Sequence, residues 1–443
     1  MTVRADEGND DMSTAIDHIV RQELDPQGPG VAIAVVAAGR PVHRAGYGSA
    51  NLEWDCPIRP DTVFRLASLT KQFTATAIML LERQGKLRLD DPLTTYLPDY
   101  PTHGQTITLT QLLTHTSGIR SYTELADVVA AVAKQDLAPG DLLAYFQDRP
   151  LDFAPGTRFR YNNSGYHLLG LIIERVAGVG YEQFIQQHIF RPLGMQQSYY
   201  MHNDTIIPRR ASGYASTPAG YRQADYLNMM IPYAAGSLGS TVEDLIRWDA
   251  ALRDGRLLDA ATQERMYTPV QLADGRTEDY GFGVRATAYA GRRLIAHGGS
   301  IPGFHTFLAR FIDDAAMIAV LANIPGLPVE KIARKIARHL FDLPAVARSP
   351  LPQSPAVLDK AVGTYRREDG PPVAIVRAEG RLAVRGPLAS GLLPLSETAY
   401  YASRDDEVEV HFADEREGSF NELTVRMPTY RAISATRNPG EAR

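Results

Sequence analysis

Residues 11–24 place apolar Ile16, Ile19 and Val20 at helical spacing among polar neighbours, which predicts an N-terminal helix. Two runs of strand character follow at 31–37 and 42–47, joined at Gly39-Arg40-Pro41, and their spacing predicts an antiparallel hairpin. The helical period returns with Leu69, Phe73, Ala77, Leu80 and Leu81. These would line the buried side of a helix from Ser68 to about Arg83, with Gly85 just beyond its end. From 88 to about 290 the pattern is mainly helix and loop. Thr108-x-x-Gln111 before Leu112-Leu113, and Ser240-x-x-Glu243 before Leu245-Ile246, have the spacing of capping boxes. Strand character reappears at 294–297, 305–311 and 315–321, with Ile312-Asp313-Asp314 as a turn, and a helix follows over 329–341.

Strands at both ends of this region predict one sheet built from its two termini, with a helical lobe inserted between them. Ser68 falls where the early strands give way to the lobe, and His297 at the end of the first late strand. A cleft between sheet and lobe is therefore the expected site. Residues 343–358 carry Pro344, Pro350, Pro352 and Pro355 and read as a stiff linker. In 359–443, short strands at 373–376 and 382–384 flank Glu379-Gly380, and others at 407–412 and 422–426 flank Glu417-Gly418. A small antiparallel β domain is expected there, with a frayed end over 431–443. The organisation is thus an α/β (α+β) domain over 1–342, the linker, and a C-terminal β domain over 359–443.

A chain of 443 residues suits two or three domains. Its net charge of −5 leaves no basic excess for a nucleic acid or an anionic membrane. The single Cys56 excludes an internal disulfide and a multi-cysteine metal cluster, and reads as a small buried hydrophobe. No apolar run approaches the ~20 residues of a membrane span. Residues 1–11 are acidic and polar, unlike a signal peptide, so the expected location is cytoplasmic.

Candidate chemistry begins at Ser68-Leu69-Thr70-Lys71. Residues three apart share a helix face, and a serine in the first turn lies among unpaired N–H groups at the positive end of the dipole. A nucleophile, a base and oxyanion donors would then be neighbours. Of the six lysines, Lys71 alone has a serine three positions upstream. A capping serine on a surface helix fits the same spacing. Tyr161-Asn162-Asn163 offers a phenol, which gives up its proton more readily beside a lysine ammonium, and an amide able to meet a substrate amide; a loop tyrosine with a turn asparagine fits equally. His297-Gly298-Gly299-Ser300 would let a substrate lie along a strand edge, where a backbone N–H completes an oxyanion hole. The imidazole would bond the substrate or Tyr161. His115 and His167 show no metal-ligand spacing and read as structural.

Taken together, Ser68–Lys71, Tyr161–Asn163 and His297–Gly299 resemble, in order, the S-x-x-K, Y-x-N and K/H-x-G motifs of the serine β-lactamase and penicillin-binding-protein superfamily. The resemblance is to its class C β-lactamase-like serine hydrolases, peptidase family S12. Leu112-Leu113-Thr114-His115-Thr116-Ser117-Gly118-Ile119, Gly165-Tyr166-His167-Leu168-Leu169-Gly170, Pro192-Leu193-Gly194-Met195 and Gly299-Ser300-Ile301-Pro302-Gly303 resemble the same family. The resemblance implies an antiparallel sheet flanked by helices plus an all-α lobe. It also implies Ser68 as nucleophile, with Lys71 and Tyr161 sharing general-base and general-acid duty. Asn163 would orient Lys71 and bind substrate, with Gly298 and Gly299 beside it and His297 opposite the nucleophile. The oxyanion hole would use the N–H groups of Ser68 and Ser300, with no cofactor and no metal.

The family's β-lactamases carry lysine where this chain has His297, which predicts a weaker grip on a β-lactam carboxylate. Members with histidine here are typically esterases, amidases, D-amino-acid peptidases or transacylases. The expected activity is hydrolysis of an ester or small peptide amide through an acyl-enzyme on Ser68, with a small molecule or short peptide as partner. β-Lactam hydrolysis and a sensor that acylates without turnover are the alternatives. Val362-Gly363-Thr364-Tyr365 resembles the start of lipocalin-like modules appended to D-aminopeptidase-type members.

Overall fold

The computed structural model describes residues 3–135, 137–367, 372–385 and 390–437. It divides into two compact units, Met1–Asp342 and Leu343–Arg443. In the first, helix α1 (Val3–Arg21) precedes β1 (Val31–Ala37) and β2 (Arg40–Tyr47). The helical part includes α2 (Thr70–Arg83), α3 (Asn163–Ala177) and α4 (Val242–Arg253). The chain then returns to the sheet with β3 (Arg285–Tyr289), β4 (Arg292–Ile301), β5 (Phe304–Phe311) and β6 (Ala316–Ala322), followed by α5 (Val329–Leu340).

The six strands form one antiparallel sheet ordered β3-β4-β5-β6-β1-β2. Two adjacent interior strands, β1 and β6, come from opposite ends of the unit and pair Val31 with Ala322. Both are apolar without alternation because both faces are covered. One face carries Ala32, Ala34, Val36, Met317, Ala319 and Leu321 into the core shared with the helical lobe. α5 presents Val329, Ile332, Ala333, Ile336 and Ala337 as a single buried stripe. Burying each of its isoleucines contributes about 1.5–3 kcal/mol.

α2 is buried from Thr70 through Leu81. Two of its polar residues are matched inside: Thr74 Oγ1 donates to Ala234 O (2.7 Å), and Gln72 Oε1 accepts from Trp248 Nε1 (2.7 Å). The Thr108–Gln111 capping box forms as expected. The second does not: Thr241 caps α4 by accepting from Asp244 N (3.1 Å), while Ser240 lies in a short strand and bonds Ser198. One residue of slip separates two side chains equally able to cap. Ser68 also precedes α2 proper, in a 3₁₀ turn over Ala67–Leu69. Cys56 is exposed, not buried, because its two-residue strand forms a surface hairpin with Ser49–Asn51.

In the second unit, a helix α6 (Pro355–Ala361) occupies the end of the expected linker. Eight strands then close into an antiparallel barrel: β7 (Gly363–Arg367), β8 (Val373–Ala378), β9 (Arg381–Arg385), β10 (Ser390–Pro394), β11 (Ala399–Ala402), β12 (Asp405–Arg416), β13 (Ser419–Met427) and β14 (Tyr430–Arg437). Tyr365, Tyr400, Phe412, Phe420 and Leu423 fill its interior together with Leu358 and Ala361 of α6. Residues 431–437 of the expected frayed end therefore belong to a strand that closes the barrel against β7, while 438–443 lie outside the described residues.

Candidate active site

The Ser68 turn is fastened from both sides. Leu66 N donates to Leu238 O (2.8 Å), Leu238 N donates to Thr70 Oγ1 (3.1 Å), and Thr306 Oγ1 of β5 donates to Leu66 O (2.8 Å). Ala67, fully buried at φ 50°, sits in the left-handed region and swings the chain into the 3₁₀ turn.

Lys71 lies one turn on, wholly buried. Its Nζ is 3.1 Å from Ser68 Oγ, 2.8 Å from Asn163 Oδ1 and 2.9 Å from the carbonyl of Ala235. No ion pair to Lys71 forms among the described residues, so burial holds its pKa well below the usual lysine value. Two of its partners are obligate acceptors. An ammonium donates to all three, Ser68 Oγ included; in the neutral amine the two N–H bonds go to Asn163 Oδ1 and Ala235 O and the lone pair is left for the Ser68 hydroxyl.

Asn163 opens α3. Its Nδ2 donates to Thr123 Oγ1 (2.9 Å) and its main-chain N to Ser121 Oγ (3.1 Å), which fixes the amide with oxygen toward Lys71. Asn162 is the N-cap, accepting from Gly165 N (2.8 Å).

Tyr161 stands differently from the sequence expectation. The Lys71 ammonium position lies over its ring, 4.7 Å from the centroid. The Tyr161 hydroxyl is buried and has no hydrogen-bond partner among the described residues. Burial raises its pKa, and the nearby Ser68 hydroxyl and Arg285 charge offset only part of that. The phenol is therefore held protonated, and the expected easy loss of its proton is overturned by desolvation.

His297 lies within β4 rather than at its end. The strand runs on because Gly298, Gly299, Ser300 and Ile301 pair with Phe307, Thr306, His305 and Phe304 of β5. Its Nδ1–H donates to Gly298 O (2.6 Å), and its Nε2 accepts from Tyr280 Oη (2.8 Å) rather than from Tyr161. Burial, with Lys71 nearby, pushes its pKa down to about 3. His297 is neutral and both ring nitrogens are engaged.

Gly299 packs directly on the nucleophile turn. A β-carbon there would fall on Leu66 O and stand 2.9 Å from Ser68 N, so only glycine lets the strand approach. Gly299→Ala should destabilise the protein by about 1–3 kcal/mol and slow Ser68 acylation. Thermal unfolding and the rate of fluorophosphonate labelling measure the two effects. Ser300, beside it, is exposed on the same strand.

The structure thus gathers Ser68, Lys71, Tyr161, Asn163, His297 and Gly299 around one centre, with Gly298 and Ser300 on the same strand. Sequence reasoning missed the Ala235 carbonyl, which leaves no side-chain signature, and Tyr280, which lies outside any of the three motifs. The available sign was the flanking Gly281 and Gly283. At φ 72°, Gly283 has no room for a β-carbon against the Lys71 backbone. Among the described residues, no group of three or more His, Cys, Asp or Glu is arranged to hold a metal ion, and no helix is long and apolar enough to cross a membrane.

The Beta-lactamase family model matches residues 16–342. The chain belongs to the beta-lactamase family. Within that family it is similar to a penicillin-binding protein of Bacillus subtilis, with 31% identity over 86% of this chain and 89% of the relative. It is also similar to a D-aminopeptidase of Gluconobacter oxydans, at 30% identity over 81% and 67% of the two chains. Among solved structures, an octameric penicillin-binding protein homologue from Pyrococcus abyssi superposes with a TM-score of 0.68 and 28% identity, over 98% of this chain and 100% of that one. The D-amino acid amidase of Ochrobactrum anthropi bound to D-phenylalanine matches with a TM-score of 0.65 and 25% identity, over 75% and 99%. As a member of the beta-lactamase family, this protein is a serine hydrolase with relatives among D-aminopeptidases and D-amino acid amidases.

Proposed function

We propose that this hydrolase cleaves small amides or esters, including those of D-amino acids, through an acyl-enzyme on Ser68. The observation that carries the reading is the buried Lys71 amine, 3.1 Å from Ser68 Oγ and without an acidic partner among the described residues. Neutral Lys71 takes the Ser68 proton as Oγ bonds to the substrate carbonyl carbon. The oxyanion meets the N–H groups of Ser68 and Ser300. Tyr161, held protonated, gives its proton to the departing nitrogen or oxygen as that bond breaks, and is then reprotonated by way of Lys71. Water attacks the acyl-enzyme with the same groups in reverse. Asn163 holds Lys71 in place and, with the strand at Gly298–Ser300, receives the substrate. A neutral His297 in place of a fixed cation favours uncharged substrates over β-lactams, and the similarity to D-aminopeptidases and D-amino acid amidases supports the D-amino-acid class.

The test is one preparation assayed on p-nitrophenyl esters, D- and L-amino-acid anilides and nitrocefin. Steady turnover of esters or D-anilides well above nitrocefin is expected. Efficient nitrocefin cleavage would make it a β-lactamase, and a stoichiometric burst with a stable adduct would make it an acyl-binding sensor.

The division of labour has its own test. An activated nitrophenol leaves without a proton, whereas an amine does not. Tyr161→Phe should therefore cut anilide hydrolysis by roughly 10²–10⁴-fold and ester hydrolysis by far less. Equal losses on both substrates would move the base function to Tyr161.

A further inference from the structure

His115 is buried in the aromatic floor of the site and takes no part in the steps above. It grips the chain on both flanks of Tyr161. Its carbonyl accepts from Arg160 N (3.0 Å), and its Nδ1 accepts from Asn162 N (3.1 Å). Its ring packs on Tyr161 with centroids 4.4 Å apart, and on Tyr280, the partner of His297, at 4.6 Å. The residue is held at φ 60°, in the left-handed region that L side chains adopt only under strain. Accepting at Nδ1 places the ring proton on Nε2, which is buried without a partner among the described residues. A backbone strain and an unmatched donor are both retained at one residue.

We propose that His115 is the positioning residue for Tyr161 and Asn163: it clamps the peptide on either side of the phenol and fixes the ring plane, so that the proton donor and the Lys71-binding amide keep their places. This rests on the hydrolase reading above. The geometry explains why the strain is kept. The left-handed turn is what lets one residue offer both its carbonyl and its side chain to positions 160 and 162. The neighbouring loop is laced to the same strand of chain through Gly156 N to Thr116 O (2.8 Å) and Asp152 N to Gly118 O (2.8 Å). Those bonds are main-chain only and survive substitution of His115. The Nδ1 bond and the ring contact do not.

The experiment compares His115→Ala, His115→Asn and His115→Gln with wild type. Asparagine tolerates the left-handed backbone and places an acceptor where Nδ1 stands; glutamine sets its acceptor one bond further out. Expected for His115→Ala is a roughly 100-fold fall in kcat, the scale of an ångström of misplacement, with KM within about threefold. Amide hydrogen exchange at Asn162 should rise about tenfold or more, the worth of one hydrogen bond. His115→Asn should keep the Asn162 amide slow to exchange and recover at least about tenfold of the lost kcat, while His115→Gln should not. A His115→Ala kcat within about threefold of wild type, or an asparagine variant as impaired as the alanine one, overturns the proposal. If His115→Ala does not fold, asparagine against glutamine decides, and equal behaviour of these two overturns it. A wild type without turnover on any donor would remove the hydrolase reading instead. The exchange comparison at Asn162 then still decides the role of His115.

Discussion

Ser68→Ala is expected to abolish covalent labelling by a fluorophosphonate and to lower kcat on any ester or amide substrate by on the order of 10³-fold or more. The side-chain oxygen bonds Lys71. The turn itself is held by Leu66, Thr70 and Thr306, which the substitution leaves alone. Folding should therefore change by about 1 kcal/mol or less, visible as a small shift in thermal unfolding. Mass spectrometry of the labelled wild type should place the adduct on Ser68. An adduct on another serine, or undiminished labelling of the variant, removes Ser68 from its role and the proposed acyl-enzyme with it.

The second large effect concerns Lys71. Lys71→Met should lose turnover to a similar degree, because nothing else among the described residues stands ready to take the Ser68 proton. It should also change how stability depends on pH. The folded pKa of Lys71 is lowered and the unfolded one is near 10.5. Between those two values the unfolded chain carries a proton that the native one lacks, so stability rises with pH there and falls as pH drops toward the folded pKa. Each pH unit inside that window is worth up to about 1.4 kcal/mol. The methionine variant has no such group. Wild type should gain on Lys71→Met as pH rises from neutral toward 10, in denaturant unfolding at matched salt. Activity should rise with pH through the same folded pKa, since only the neutral amine accepts the proton. Parallel stability curves for the two proteins would mean that Lys71 stays protonated in the native state. The base would then have to be sought elsewhere.

The sheet was readable because its interior strands β1 and β6 are continuously apolar and bounded by turns, and the helical residues of α2 repeat cleanly. Ser68 and Lys71 were readable because residues three apart share a face, whereas Tyr161, Asn163 and His297 were readable only because their motifs, taken in order with the first, resemble those of the family. What sequence could not supply was the protonation of the site. It depends on burial from all sides, contributed by Tyr166, Tyr280 and His115 from distant segments. Tyr161 beside a lysine suggests an acidic phenol if the pair is solvated, and the opposite once both are buried. The capping error at Ser240 and the exposure of Cys56 have a simpler origin. Adjacent residues of equal capping ability, or a thiol in a two-residue strand, leave no periodic signal to decide between inside and outside.

The pairing of β1 with β6 also sets when this molecule can fold. Val31 finds Ala322 only after nearly the whole first unit has been made. At synthesis rates of roughly 5–20 residues per second, β1 waits about 15–60 seconds for its neighbour on that side. The β1–β2 hairpin, with six of the seven β1 residues destined for burial, emerges first and remains incomplete while the inserted lobe is built. Such non-local closure is slow, and it leaves an apolar strand with one edge unpaired and exposed in the nascent chain. The stretch most in need of protection on the ribosome is thus not the catalytic cleft but the strand Val31–Ala37.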